Sequence, residues 1–280
     1  IQIEHLVHEV SQYPIVGIKL TIEDGPAPPF VERMPQSIIN KTVKEASKYG
    51  LEVFAHVSDN TELEMAINGG IQNLVHFTGI NINPEDSIQL QLLQKFRKRN
   101  PYWVTTLMID KSFLYPIHPE WFRSESMFSE YRNMVNELSP EVVERAKIYV
   151  DILMEEYGLN ESSLEAFLLP QVEDIRFLYG EGFNMVLGTD TGNDFNFPGY
   201  SLHEEMQLLE IGGMEPLDII KMGTLNAAKM MKAQDSLGSI EVGKIANLIL
   251  LDKNPLESIR NTLEINKVIK NGVVQKRLME

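Results

Sequence analysis

Cysteine is absent from this 280-residue chain. No disulfide framework, thiolate nucleophile or thiolate metal ligand can be built from it. That fits a reducing cytoplasm and does not exclude the periplasm. Basic charge is also short. The 25 Lys and Arg are outnumbered by 40 Asp and Glu, leaving a formal net charge of -15. Nucleic acid and anionic membranes are held by clustered cations, so neither is expected as the main partner. No apolar run has the length of a membrane span, and the N-terminus lacks the pattern of a signal peptide. No glycine-rich phosphate fingerprint follows any strand-like run, which weakens a dinucleotide-binding reading. Histidine is scarce, with 6 in the chain.

What is present is enough apolar residue, 43%, to bury a core. The opening stretch, IQIEHLVHEV, reads like the middle of a helix and does not begin with Met, so residues are expected upstream. After it the pattern alternates. IVGIKLTI (Ile15 to Ile22) reads as a strand, followed by a Pro-rich loop and the helical QSIINKTVKEASKYG, which stops at Gly50. LEVFAHV is the next strand. Thr61 and Glu64 have the capping-box spacing, so a helix is expected from about Glu62 to Gly69 and Gly70. IQNLVHF is a strand, Pro84 and Glu85 open a helix to about Arg99, and YWVTTLMI (Tyr102 to Ile109) is a fourth strand.

Residues 111–181 are too long for a plain βα loop and read as a helical insertion, aromatic at first, with a helix start at Ser139-Pro140-Glu141. FNMVLGTD (Phe183 to Asp190) is a fifth strand, and three helices follow between Ser201 and Lys232. The tail turns to β, with ANLILLD and then INKVIKNGVVQKR, where Asn271-Gly272 signals a two-residue hairpin. Strand-helix alternation implies an α/β fold with a parallel sheet covered by helices, either a closed βα barrel or an open doubly wound sheet.

In a βα barrel the functional side chains stand at the C-terminal ends of strands. Those ends offer Lys19, His56, His76, Thr105 or Thr106, and Asp190. His56 and His76 lie one βα unit apart, at equivalent ends of successive strands. Two imidazoles with a carboxylate and a lysine form a cation-binding constellation, and zinc accepts imidazole and carboxylate together. The plain structural readings are hydrogen-bonded histidines, a turn-capping Asp190 and a salt-bridged Lys19. His5 and His8 read as surface residues of a helix. His118 reads as a loop residue able to reach substrate. His203 and Glu205 read as helix-start polar residues or as groups close behind the substrate site.

These stretches resemble the amidohydrolase superfamily, closest to the imidazolonepropionase-like and prolidase-like metal-dependent hydrolases. The carrying motifs are VGIKL, LEVFAHVSD, NLVHF, VLGTDTG, LHEEMQLLEIGGMEPLDIIKMGTLNAAKMM and the tail LGSIEVGKIANLILLDKNPLESI with INKVIKNGVV. The resemblance implies a βα (TIM-like) barrel, here strands four to eight, plus the C-terminal part of a small β-sandwich. The domain division expected is 1–235 for the partial barrel, with 111–181 inserted, and 236–280 for the sandwich strands. It implies Lys19 as the fourth-strand lysine, carboxylated in some branches, and His56 and His76 as metal-binding histidines. Asp190 is implied as metal ligand and catalytic proton carrier, and Thr224 and Asn226 as structural. The implied cofactor is a divalent metal, zinc first, as one or two ions. The implied partner is a small amide or peptide-like substrate, and a homo-oligomer is compatible.

Two departures stand out. The His-x-His motif of the first barrel strand is missing, as are the strands around it, and Asn247 stands where the family usually has Asp. The reaction expected is hydrolysis of a C–N bond by metal-activated water, with Asp190 moving the proton. The chain alone is expected to have little or no activity. Two alternatives remain open at this stage: an incomplete, non-catalytic fragment with a structural or binding role, and a metal-free barrel enzyme using Asp190 and Glu205 as a carboxylate pair.

Overall fold

The computed structural model describes residues 2–25, 29–77, 80–114, 140–157, 161–193 and 195–276. After helix α1 (Gln2–Val10), five strands build the main sheet: β1 (Gly17–Thr21), β2 (Glu52–His56), β3 (Asn73–Val75), β4 (Tyr102–Val104) and β5 (Asn184–Val186). All neighbouring pairs are parallel, in the order β1-β2-β3-β4-β5. Parallel neighbours cannot be joined by a tight hairpin, so each connection crosses over through a helix. These are α2 (Gln36–Ser47), α3 (Asn60–Gly69) and α4 (Ser87–Arg97) for the first four strands. Between β4 and β5 run α5 (Met108–Leu114), α6 (Pro140–Tyr157) and α7 (Glu161–Gly180).

The period of two along the strands divides the sheet into two faces. On β1, Leu20 and then Ile22 are buried beneath the helices, while Lys19 and Thr21 point the other way. On β2, Val53 and Ala55 are buried and Glu52, Phe54 and His56 lie on the opposite, more open face. The helix-facing layer joins Ile39, Ala46, Leu63, Ile67, Leu74 and Trp103 into one core, all fully buried. Trp103 is its largest member and packs against Phe77 at a ring separation of 4.9 Å.

Beyond β5 come α8 (Tyr200–Ile211), α9 (Pro216–Lys221), a π-helical turn over Met222–Asn226 and α10 (Ala227–Met230). The Asn226 amide donates to the Met185 carbonyl at 3.0 Å, tying this helical run to β5. A second sheet, antiparallel in order, holds β6 (Leu248–Leu251), β7 (Ile265–Lys270) and β8 (Val273–Val274). Asn271 and Gly272 join the last two with φ of 52° and 77°, the left-handed pair that an Asn-Gly hairpin supplies at low cost. The short helix Ile259–Leu263 seats this sheet on α8, where Glu210 accepts from the Ile259 amide at 2.8 Å.

Several expected boundaries move. The strand expected over Tyr102 to Ile109 ends at Val104, because Thr106 turns into the left-handed region at φ 55° and α5 starts two residues later. The helix expected from Glu62 starts at Asn60. Its cap is Asp59, whose carboxylate accepts from the Glu62 amide, while Glu62 reaches back to the Ser58 amide at 2.7 Å. The reciprocal box exists, two residues earlier than Thr61 and Glu64 would place it. Asp86, accepting from Ile88 and Gln89, likewise replaces Pro84 as the start of α4.

Candidate metal centre at the strand ends

The register of the sheet sets the height of each side chain. Thr21, His56, Val75, Val104 and Val186 form one row across the five strands. His56 is on that row and His76 is one residue above it. Left-handed backbone at His76, φ 74°, lets the chain turn there while its ring faces His56. The two imidazoles stand 4.4 Å apart, centroid to centroid, tilted by 58°. Lys19 lies two residues below the row, and its Nζ reaches 3.1 Å from Nε2 of His76.

Three non-glycine residues just past the ends of β3, β4 and β5 share this strained backbone: His76, Thr106 (φ 55°) and Asp190 (φ 53°). Each such residue costs about 1–3 kcal/mol and persists only where surrounding contacts fix it. Those contacts are visible. The Trp103 indole donates to the His76 carbonyl at 2.7 Å. The Thr106 hydroxyl sits 3.0 Å from Nδ1 of His76. The Asp190 turn is held from outside, by the Asn193 amide on its carbonyl at 2.9 Å and the Asn196 amide at 3.2 Å. Asp190's own carboxylate is exposed and takes a longer contact, 3.3 Å, from Asn193.

Electrostatics follow from this crowding. Burial pushes the His76 imidazole down to about 4, and the neighbouring His56 and Lys19 push the same way against Asp190 and Glu23. His76 is therefore neutral at pH 7, the form that has a lone pair to give a metal. Glu23, two residues beyond β1, was not among the strand-end candidates. Its carboxylate meets Nε2 of His56 at 3.0 Å, and that contact holds it below the usual carboxylate range despite burial. A sequence signal existed: counting by two from Lys19 puts residues 19, 21 and 23 on one face.

The remaining sequence candidates fall elsewhere. Glu205 is fully buried on α8 and points at the turn after β4. There it accepts from the Thr105 hydroxyl and from the amides of Leu107 (3.0 Å) and Met108 (2.9 Å). Burial pushes its carboxyl up to about 7 against these three donors. His203 bonds through Nδ1 to the Thr262 hydroxyl at 2.8 Å, joining α8 to the C-terminal segment. Both are thus engaged within the fold, Glu205 at the turn after β4 and His203 at the C-terminal segment. His118 and the aromatic residues Tyr115, Trp121, Phe122 and Phe128 lie outside the described residues. Among the described residues, no three His, Asp or Glu side chains stand at ready-made ligand spacing. The donor chemistry nevertheless fits a divalent cation: two imidazoles, one neutral with Nδ1 already engaged, and carboxylates within electrostatic reach.

A parallel sheet with crossover helices, whose C-terminal strand ends gather these polar groups, is part of a βα barrel. The chain belongs to the amidohydrolase family, whose profile matches residues 20–274. The Aspergillus niger ochratoxinase is 26% identical over 238 residues, covering 83% of this chain and 39% of that protein. An imidazolonepropionase of Fusobacterium nucleatum is 34% identical over 131 residues, covering 41% of this chain and 30% of that protein. A crystal structure of a Xaa-Pro dipeptidase with bound methionine in the active site superposes with a TM-score of 0.69 at 21% identity, covering 99% of this chain and 58% of that one. That likeness establishes the fold. The chain spans well under two thirds of each of these relatives.

Proposed function

We propose that this chain supplies the strand-end metal site of an amidohydrolase that cleaves an amide or cyclic-amide C–N bond in a small substrate. The observation that carries the reading is the facing pair His56 and His76, with His76 held neutral at the C-terminal edge of the sheet. Family membership and similarity to proteins named ochratoxinase, imidazolonepropionase and Xaa-Pro dipeptidase support it.

The roles follow from position. His56 and His76 would hold a divalent cation, zinc being the first choice because imidazole and carboxylate suit it better than magnesium or calcium. Such an ion, when bound, polarises a carbonyl and lowers the pKa of water. Thr106 holds the His76 ring through Nδ1, so Nε2, which meets Lys19 at 3.1 Å, is the nitrogen that a cation would take. Asp190, exposed on its Asn-braced turn, would accept a proton from water and return it to the leaving amine. Lys19 approaches His76 as an ammonium, which repels cations. Loss of two protons and addition of carbon dioxide at Nζ would turn it into a carbamate, an anionic oxygen donor suited to a second ion.

The test uses the whole protein: metal content by elemental analysis, then turnover on N-acyl amino acids and dipeptides before and after chelation. Bound zinc or a similar ion, with turnover lost on chelation and restored on reloading, is the expected result. Full turnover after exhaustive chelation overturns the reading.

A further inference from the structure

Glu205 is fully buried, and the chemistry assigned to the mouth gives it no step. Its two oxygens take three donors from one short turn. Oε1 accepts from the Thr105 hydroxyl and from the Leu107 amide at 3.0 Å, and Oε2 accepts from the Met108 amide at 2.9 Å. Thr105 and Leu107 are the chain neighbours of Thr106. One oxygen atom therefore grips the chain on both sides of the residue whose φ is 55°. A β-branched residue rarely takes that conformation and keeps it only where its surroundings fix it. The grip is stiff because the helix behind it is. α8 buries Leu208 and Leu209, and two contacts of 2.8 Å tie it to the C-terminal segment, Glu210 to the Ile259 amide and His203 to the Thr262 hydroxyl. On the other side the Thr105 amide donates to the Val186 carbonyl at 3.0 Å, so the turn is pinned between α8 and β5.

What the pinned turn delivers is one hydroxyl, Oγ1 of Thr106, 3.0 Å from Nδ1 of His76. Across the same ring, Nε2 faces the Lys19 amine at 3.1 Å. An ammonium there donates to Nε2, so the one proton of the neutral ring stands on Nδ1 and is given to Thr106. On this basis we propose that Glu205 is a positioning residue for His76. It acts through the turn from Thr105 to Met108, setting the hydroxyl that fixes the orientation and the tautomer of the imidazole. This rests on the reading of His76 as a working group of the mouth, and it holds for the ring with no ion present.

Proton exchange with water, read by nuclear magnetic resonance on the metal-free full chain, tests this. The measurement is made at about pH 8, where His76 is neutral and the Glu205 carboxyl, pushed up to about 7 by burial, is mostly ionised. Glu205→Gln keeps the shape, but in either orientation of its amide one backbone N–H of the turn faces an NH2 group. The Leu107 and Met108 amides report the grip, the His76 Nδ1–H reports the delivery, and the amides of β2 and β3 report the fold as a whole. In Glu205→Gln all three reporters of the turn and ring should exchange faster. The Nδ1–H should gain about threefold to tenfold beyond any change in β2 and β3, as for one lost hydrogen bond, and Thr106→Val should do the same. A merely structural role would speed the Nδ1–H no more than the amides of β2 and β3. Thr105→Val is milder, because both amides keep their acceptor. It should move the Nδ1–H in the same direction, Thr105→Ser should return it to the wild-type rate, and this pair decides where Glu205→Gln does not fold. A wild-type ring with its proton on Nε2 overturns the proposal. So does a folded Glu205→Gln or Thr105→Val whose Nδ1–H exchanges at the wild-type rate. Zinc titration of the wild type addresses the metal centre separately: a protein that binds no zinc removes that centre and leaves the measured positioning of the ring intact.

Discussion

The Thr106 hydroxyl stands 3.0 Å from Nδ1 of His76, and both residues are in left-handed backbone just past the ends of adjacent strands. Two strained turns are thus joined by one side-chain contact. Thr106→Val keeps the shape and removes the hydroxyl, leaving a buried imidazole nitrogen without its partner. Loss of about 1–3 kcal/mol of stability is expected. Zinc affinity should fall about tenfold to 100-fold, as for other outer partners of a metal-binding histidine. Thr106→Ser should restore both. Urea unfolding and zinc titration check the two effects separately.

The pH dependence of the metal-free protein has two opposing parts. His76 has a folded value of about 4 against an ordinary 6.5. Between these the unfolded chain takes up a proton that the fold refuses, so this contribution is lost as pH falls through the window. Glu205 has a folded value of about 7 against an ordinary 4.5. There the fold keeps a proton that the unfolded chain has released, so this contribution is lost as pH rises. The slopes partly cancel between 4.5 and 6.5. Glu205→Gln should unmask a stability that falls on acidification, and His76→Gln the reverse. Urea midpoints of chelated protein from pH 4 to pH 7.5 would show it; variants with the wild-type slope would refute the assignment.

Arg33 clamps the loop after β1 to the start of α3. It contacts Asp59 at 2.9 Å and Glu62 at 3.0 Å, and Glu62 is fully buried. Arg33→Ala leaves that carboxylate only its two donors from Ser58 and removes its counter-charge. A fully buried pair broken in this way costs about 3–5 kcal/mol, and the arginine's partial exposure should bring this to about 2–3 kcal/mol. Arg33→Lys should recover part of it. Chemical denaturation measures both.

Gly188 marks the close approach of β5 to β4. A Cβ there would lie 2.3 Å from Cγ1 of Val104 and 3.3 Å from Cγ2 of Thr106. Gly188→Ala must displace Val104, at a cost of about 1–3 kcal/mol for an overpacked site. Because Thr106 is the next neighbour, zinc affinity should fall together with the melting temperature. A variant as stable as wild type would show that the strand ends have room to give.

The parallel sheet is legible because its strands alternate with helices that stop at glycine, as at Gly50 and Gly70. Strand ends carry the positions of Lys19, His56 and His76, since the end of an apolar run is a local feature. What is not legible is decided by contacts between distant segments. Glu205 lies two residues from His203 near the start of a helix and reads as a helix-start polar residue or a group close behind the substrate site. Only the packing of α8 over the turn after β4 buries it and gives it three donors. Asp59 outranks Thr61 as a cap because Arg33 and Glu62 engage it from two sides. Glu23 is obscured by the proline-rich loop it begins, although the sheet still governs it through Ile22.

The order of strands in the main sheet is the order in which they are made. On a ribosome each new strand would emerge beside a partner already present, so the sheet can grow by addition at one edge and seldom needs rearrangement. The first three crossovers are single helices that place little chain between partners, which keeps the entropy of each closure small. The last addition is different, because β5 waits for α5, α6 and α7 to be synthesised. A nascent chain stalled after β4 should therefore already protect the amides of β2 and β3 from exchange. The Thr105 amide, which donates to the Val186 carbonyl, should remain open until β5 arrives, and the turn carrying Thr106 would be the last part of the mouth to take its final form.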